Sequence, residues 1–186
     1  MDSIPQDVLQ AVTECNNKVA EVQKETESSC NKVRIDYRTR IETLLEQRQE
    51  VLDKVEGFWS SVLSSAETPL RQFFNGTIDP KLLRAVRGFN VKSSVKNDSL
   101  CRCVSIDLRS NMFAEQGTIH REIDADLNTI SLEPIKWKSG TERASQDSLF
   151  RFFTPECDDK ELVADVLAAF DNLFQDPFLA LESSQD

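Results

Sequence analysis

The chain has 186 residues, a net charge of −10 and a pI near 4.7, so it suits one domain plus an extension or two small domains. Five glycines and a single histidine leave little for a glycine-rich phosphate loop or for histidine-based catalysis or metal binding. No run of about 18 apolar residues is present to span a membrane, and the N-terminal MDSIPQDVLQ lacks the basic-then-apolar pattern of a secretory signal. Five cysteines without such a signal favour reduced thiols in the cytosol or nucleus.

The acidity is unevenly spread. Residues 7–56 carry −3 and residues 57–143 carry +2, whereas residues 144–186 carry −8. Such a segment is either the solvated face of an amphipathic helix or a surface that steers a strongly basic partner. Strong direct nucleic-acid binding is not expected of this balance.

Between Pro5 and Gly57 there is neither glycine nor proline, which predicts one long helix over residues 7–56. At ~1.5 Å per residue it reaches about 75 Å. A 4-3 spacing runs through it. Val8, Val12, Cys15, Val19, Val22, Val33, Tyr37, Ile41, Leu44, Val51 and Val55 are its apolar members; Thr26, Ser29 and Arg48 interrupt it. Eleven of these 14 positions are apolar, against 7 of the other 36, so the stripe is a seam and not a composition accident. Three successive four-residue gaps from Ser29 to Ile41 form a stutter, which locally unwinds a left-handed supercoil. One narrow stripe cannot bury itself; a second copy of the helix is its simplest partner, making the chain a homodimer. Thr26 and Ser29 either pack imperfectly or set the register.

Phe58–Leu63 reads as a short buried helix. Thr68-Pro69 and Asp79-Pro80 each pair a capping residue with a proline at the first helical position, predicting helices over 70–74 and 81–85. The period then changes to two. Strands are expected at 88–96, at 100–108, where Val104–Leu108 alternates cleanly, at 118–123 and at 129–137. The links are too short for crossover helices, so the four strands should be antiparallel. Asp158 or Asp159 then caps a helix running to about Phe174, with Leu162, Val163, Val166, Leu167, Phe170 and Phe174 on one face. Asp176-Pro177 opens a last turn ending at Leu181. The fold class is α+β: a dimerisation helix over 1–56, an α+β domain over 57–181 with helices covering the sheet, and a short tail at 182–186.

No catalytic or metal constellation emerges, and no cofactor is called for. His120 has no second histidine with which to share a metal. Cys101 and Cys103 project to one strand face without a second pair at zinc spacing, and read as packing sulfurs. Cys15 occupies the seam as a small hydrophobe, and Cys30 lies next to it, where a cross-dimer disulfide could form. Asp124 and Asp126 fall on one face of a predicted strand, as solvated acids or as a general acid and base. Nothing supports an enzyme.

Glu133-Pro134-Ile135-Lys136-Trp137-Lys138-Ser139-Gly140 resembles the EIKWKSG strand of the SET/nucleosome assembly protein (NAP) family of histone chaperones. Neighbouring features come in the family's order. Phe58-Trp59 after the long helix is similar to its NFW entry, Ser148–Phe153 to its SFFxxF segment, and Phe174–Phe178, more loosely, to its closing IxPxPxxYY region. The resemblance runs from about residue 6 to 181. It implies an antiparallel homodimer whose ends carry α+β earmuff domains over an acidic, histone-holding underside, at work in the nucleus with shuttling to the cytoplasm, with either or both core-histone heterodimers as partners in nucleosome assembly and disassembly. By position after the SFFxxF-like segment, histone contact is carried to Glu156, Asp158, Asp159, Glu161 and Asp165, with Asp124, Asp126 and Glu133 as candidates from the sheet side. The alternative is a dimeric coiled-coil scaffold, or a regulatory cofactor or inhibitor of an enzyme such as a phosphatase or acetyltransferase.

Overall fold

A chain of touching aromatic rings holds the core together. The computed structural model describes residues 4–141 and 147–181. In it Trp59 stacks on Phe174 at 5.6 Å between ring centroids and meets Phe89 edge-on at 5.0 Å. Phe89 touches Phe170 at 5.5 Å, Phe170 touches Phe152 at 5.7 Å, and Phe152 meets Phe153 at 5.0 Å. Each such pair adds about 0.5–1.5 kcal/mol to the burial of its apolar surface. The rings belong to four different elements, so one cluster ties the fold together.

Those elements follow the expected order. Helix α1 spans Gln6–Leu52 and α2 spans Phe58–Ser64. A 3-10 helix follows at Pro69–Phe73, then α3 at Asp79–Leu83. Strands β1 (Val86–Lys96), β2 (Ser99–Leu108), β3 (Gly117–Ile123) and β4 (Thr129–Glu133) form one sheet in that order. Every neighbouring pair is antiparallel. A 3-10 helix at Leu149–Phe153, α4 at Lys160–Gln175 and a last 3-10 turn at Pro177–Ala180 complete the chain. The fold class is therefore the expected α+β, a long helix followed by helices and a four-stranded antiparallel sheet.

Alternation puts Phe89 and Val91, Val104 and Ile106, and Ile119 and Ile123 on the buried face of the sheet. Arg102 and Arg121 share that phase and are buried with them. Lys92, Cys103, His120 and Glu122 take the opposite phase. Helix α4 buries Val163, Val166, Ala169, Phe170, Leu173 and Phe174, while Leu162 and Leu167, expected on that face, are half-buried.

Several boundaries differ from expectation. Helix α1 stops at Leu52, because Lys54 N–H and Val55 N–H reach back three residues to Val51 and Leu52 and tighten the chain into a turn. Val55 therefore lies beyond the helix that was to carry it. Gly57, with φ of 75°, takes the left-handed conformation that starts α2. Strand β4 ends at Glu133 and not at Trp137. Pro134 interrupts it, and Trp137 instead makes an isolated bridge to Ala114.

The chain divides into two compact units, Met1–Arg38 and Thr39–Asp186. In the first, Val8, Val12, Val19, Val22, Val33 and Tyr37 are exposed on the single chain. In the second, the final turns of α1 pack on the domain. Leu45 and Leu52 lie against the core, Gln49 Nε2 donates to Phe89 O at 3.3 Å, and Glu42 accepts from Ser93 N–H at 3.0 Å. Arg48 is no flaw in a seam. Its guanidinium donates to the carbonyls of Phe174 and Gln175 at the C-terminus of α4 and lies 4.9 Å from the Phe174 ring. A cation there satisfies orphan carbonyls and meets the negative end of the helix dipole.

Thr68 caps its helix as expected, accepting from Leu70 N–H at 3.4 Å. Asp79 does not cap; Ile78 holds that position. The buried Asp79 carboxylate instead accepts from Asn75 N–H and Leu149 N–H, each at 2.8 Å, and from the Ser148 hydroxyl at 2.5 Å. Burial lifts its pKa above the ordinary aspartate range, against the pull of those three hydrogen bonds.

Replacing Asp79 with alanine orphans three donors and should cost about 3 kcal/mol in chemical denaturation, with Thr77→Ala near neutral. A raised carboxyl pKa means that the fold favours the protonated group. The stability of the native chain relative to Asp79→Asn should thus rise as pH falls through the raised value towards the ordinary one. A pH-independent difference would contradict that environment.

Candidate functional site: an acidic surface around the start of α4

The acids assigned to partner contact come from two stretches of sequence, which Lys160 joins. Asp159 is the N-cap of α4, its carboxylate accepting from Glu161 N–H at 3.0 Å and Leu162 N–H at 3.3 Å. The next residue, Lys160, reaches out to the β3–β4 turn, where its ammonium donates to Asp126 O at 2.9 Å and Asn128 Oδ1 at 3.0 Å. The turn at residues 124–128 is thereby held beside the start of α4. Asp158, Asp159 and Glu161 at the start of α4 and Asp126 in the turn are all exposed.

Within the turn, Asp124 and Asp126 are not the strand pair expected from the sequence. β3 ends at Ile123, and Asp124 organises the reversal that follows. Its Oδ1 accepts from Asp126 N–H at 2.9 Å and Asn128 N–H at 2.8 Å, and its Oδ2 accepts from the Asn128 side-chain amide at 3.0 Å. Hydrogen bonds from Asn128 hold its carboxyl below the usual range, with Lys160 adding to the effect. Leu127 takes φ of 65° to complete the turn. Glu133, at the end of β4, pairs with Lys136 at 3.4 Å.

A second arginine positions the segment that leads into α4. Arg121, only 4% exposed, donates to Phe152 O at 2.9 Å and Cys157 O at 2.8 Å. It also donates twice to Thr129 Oγ1, at 3.0 and 2.6 Å, and lies 5.4 Å from the Phe152 ring. All four hydrogen bonds end on neutral oxygens. Strand β3, strand β4 and the 152–157 segment are tied at one point, and Glu156 and Asp158 are carried on its outer side.

Not every acid of the negative segment belongs to this surface. Asp171 turns inward and pairs with Arg102 of β2, which also donates to Ser93 Oγ. Asp165 is exposed on α4, one turn after Glu161. The sequence pattern marks Arg48 only as an interruption of the stripe and assigns no role to Arg102, Arg121 or Lys160. For the two strand arginines a signal was present, since each occupies the apolar phase of its strand.

Among the described residues no group of three or more His, Cys, Asp or Glu side chains could hold a metal ion. His120 Nε2 lies 2.9 Å from Ser131 Oγ. Cys15 and Cys30 are exposed on α1, Cys101 and Cys157 are buried, and burial pushes the Cys103 thiol up. No described helix is long and apolar enough to cross a membrane.

No family model matches the sequence, and no curated protein does. Solved structures do match. Nucleosome assembly protein S from Plasmodium falciparum aligns with a TM-score of 0.63 and 19% identity, over 92% of this chain and 98% of that one. The chain has the nucleosome assembly protein fold. Ccp1 aligns at 0.69 and 18% identity, over 94% of this chain and 98% of that one. Vps75 aligns at 0.65 and 12% identity, over 94% of this chain and all of that one. The likeness spans the long helix and the earmuff domain together.

The division of labour among the acids is measurable. Asp159→Ala removes the cap of α4 and should cost about 1 kcal/mol in chemical denaturation. Asp158→Ala, one residue earlier, should stay within about 0.5 kcal/mol of the native chain. Equal losses would mean that Asp159 does not cap the helix in solution.

Proposed function

We propose that the protein is a histone chaperone that acts as a homodimer, working in the nucleus and binding core histones through the acidic surface around the start of α4. The observation that carries this reading is the likeness to nucleosome assembly protein S, which spans 92% of this chain and 98% of that one. The exposed cluster of Glu156, Asp158, Glu161 and Asp165 beside the β3–β4 turn supplies a surface suited to basic cargo. The exposed apolar stripe from Val8 to Tyr37 supports self-association, since a stripe of that width and spacing is satisfied by a second helix.

The work is shielding and not bond-making. Histones hold DNA largely through counterion release, so a carrier must offer competing negative charge that still lets go. Exposed carboxylates do this. They attract over roughly a Debye length, about 8 Å at physiological salt, and bind weakly one by one. A pair of chains, each with a charge of −10, raises encounter rates with a basic partner and disfavours misplaced histone–DNA contacts.

Core histones should be retained at moderate salt and released as salt rises. Reversing Glu156, Asp158, Glu161 and Asp165 together should weaken histone binding more than about tenfold, a loss of ~1.4 kcal/mol or more. Reversing Glu21 and Glu25 on α1 should cost less than about threefold. Asp159 is left intact because its loss would also unravel the helix start. Equal losses from the two sets would remove the α4 surface from the mechanism, and retention of a single non-histone partner in place of histones would overturn the reading.

A further inference from the structure

The two edges of the sheet are treated differently by the fold. Along β1 the last turns of α1 supply side chains to the strand backbone: Glu42 takes the Ser93 N–H, and Gln49 donates to the Phe89 carbonyl. Two backbone groups of that edge are thus engaged from outside the sheet. Along β4, among the described residues, no group outside the sheet hydrogen-bonds the backbone of Thr129–Glu133. The two hydroxyl side chains of the strand bond to side chains of β3, Thr129 to Arg121 and Ser131 to His120. An edge strand directs every second N–H and C=O outward, where they can pair with another chain.

The open edge is extended, exposed and flanked by negative charge. Thr129, Ile130 and Glu133 are exposed, and Ile130 keeps 45% of its surface in solvent at an irregularity in the pairing with β3. The strand starts one residue after the turn that Lys160 pins beside the α4 acids, and it ends in Glu133. Asp124 and Asp126 lie at its start. Against these stand Lys160 and Lys136, which leaves the surroundings acidic once Asp158, Asp159 and Glu161 are counted. An extended peptide laid along β4 would find backbone partners in the strand, an apolar contact at Ile130 and the acidic turn at the strand's start, while Glu133 at its end is paired with Lys136.

We propose that β4 is a strand-addition site for an extended lysine- and arginine-rich segment of the cargo. The proposal rests on the chaperone reading and adds a second mode of contact. The α4 acids take the basic surface of a folded partner, while the β4 edge takes an unfolded basic segment by backbone pairing. Backbone hydrogen bonds tolerate many side-chain sequences, so the edge would read extension and charge, not one motif.

The test uses the whole chain and a synthetic lysine- and arginine-rich peptide without secondary structure, with a glutamate-rich peptide of equal length as control. Amide hydrogen exchange is followed residue by residue. The basic peptide should slow exchange at β4 amides, with little change along β1, and the acidic peptide should do neither. In the Ile130→Pro variant, which removes one strand donor, affinity for the peptide should fall at least about tenfold. Folded core histones should still bind through α4. Should the variant not fold, the exchange pattern on the native chain decides alone. Binding of the peptide without protection at β4 overturns the strand-addition proposal and leaves the chaperone reading standing. Failure of the native chain to bind folded histones overturns that reading itself.

Discussion

The placement of the acidic surface depends on a buried guanidinium. Arg121 carries its charge into the apolar face of the sheet and spends its donors on carbonyls of Phe152 and Cys157 and on the Thr129 hydroxyl. Burying an arginine is costly unless its donors are satisfied. Here satisfaction demands that three stretches converge, so the charge acts as a geometric constraint. The 152–157 segment runs from the aromatic core at Phe152 to the cap at Asp159. With Arg121 fixing one side and Lys160 the other, the carboxylates between them have few ways to stand except outward.

Helix α1 shows how two faces of one helix serve two surfaces. Up to Arg38 its 4-3 stripe is exposed on the single chain and is suited to a second helix. From Thr39 the helix belongs to the compact second unit, and a different face comes into use. Leu45, Gln49 and Leu52 meet the core or β1, while Leu44 and Val51 continue the exposed stripe. Arg48 stands between these faces, which explains why it breaks the apolar pattern: its task is the carboxyl end of α4.

Much of this was legible in the sequence. The breaker-free stretch gave the long helix, period-two alternation gave the strands, and the paired Thr68-Pro69 gave a capped turn. What escaped was set by contacts between residues far apart in the chain. Asp79 has the local signature of a cap, yet its partners include Leu149 and Ser148, about 70 residues later. Asp124 and Asp126 look like alternating strand residues until Leu127 takes a left-handed conformation and reverses the chain. The absence of glycine and proline carried the reading of α1 on to residue 56, whereas three-residue backbone bonds to Val51 and Leu52 end the helix at Leu52.

Net charge overstates what a partner can use. Of the acids in the C-terminal segment, Asp171 is spent on Arg102, and Asp159 is committed to backbone N–H groups at the helix start. Asp124, from the sheet side, is likewise committed to its turn. Glu156, Asp158, Glu161 and Asp165 carry no such duty and face solvent. Exposed carboxylates of this kind are individually weak and act together through a field that salt screens. Under the proposed function, a cargo would be held strongly only while it brings many positive charges at once. Folded basic surfaces meet that condition, and single lysines do not, so on that proposal selectivity would rest on the number of charges and the shape that presents them.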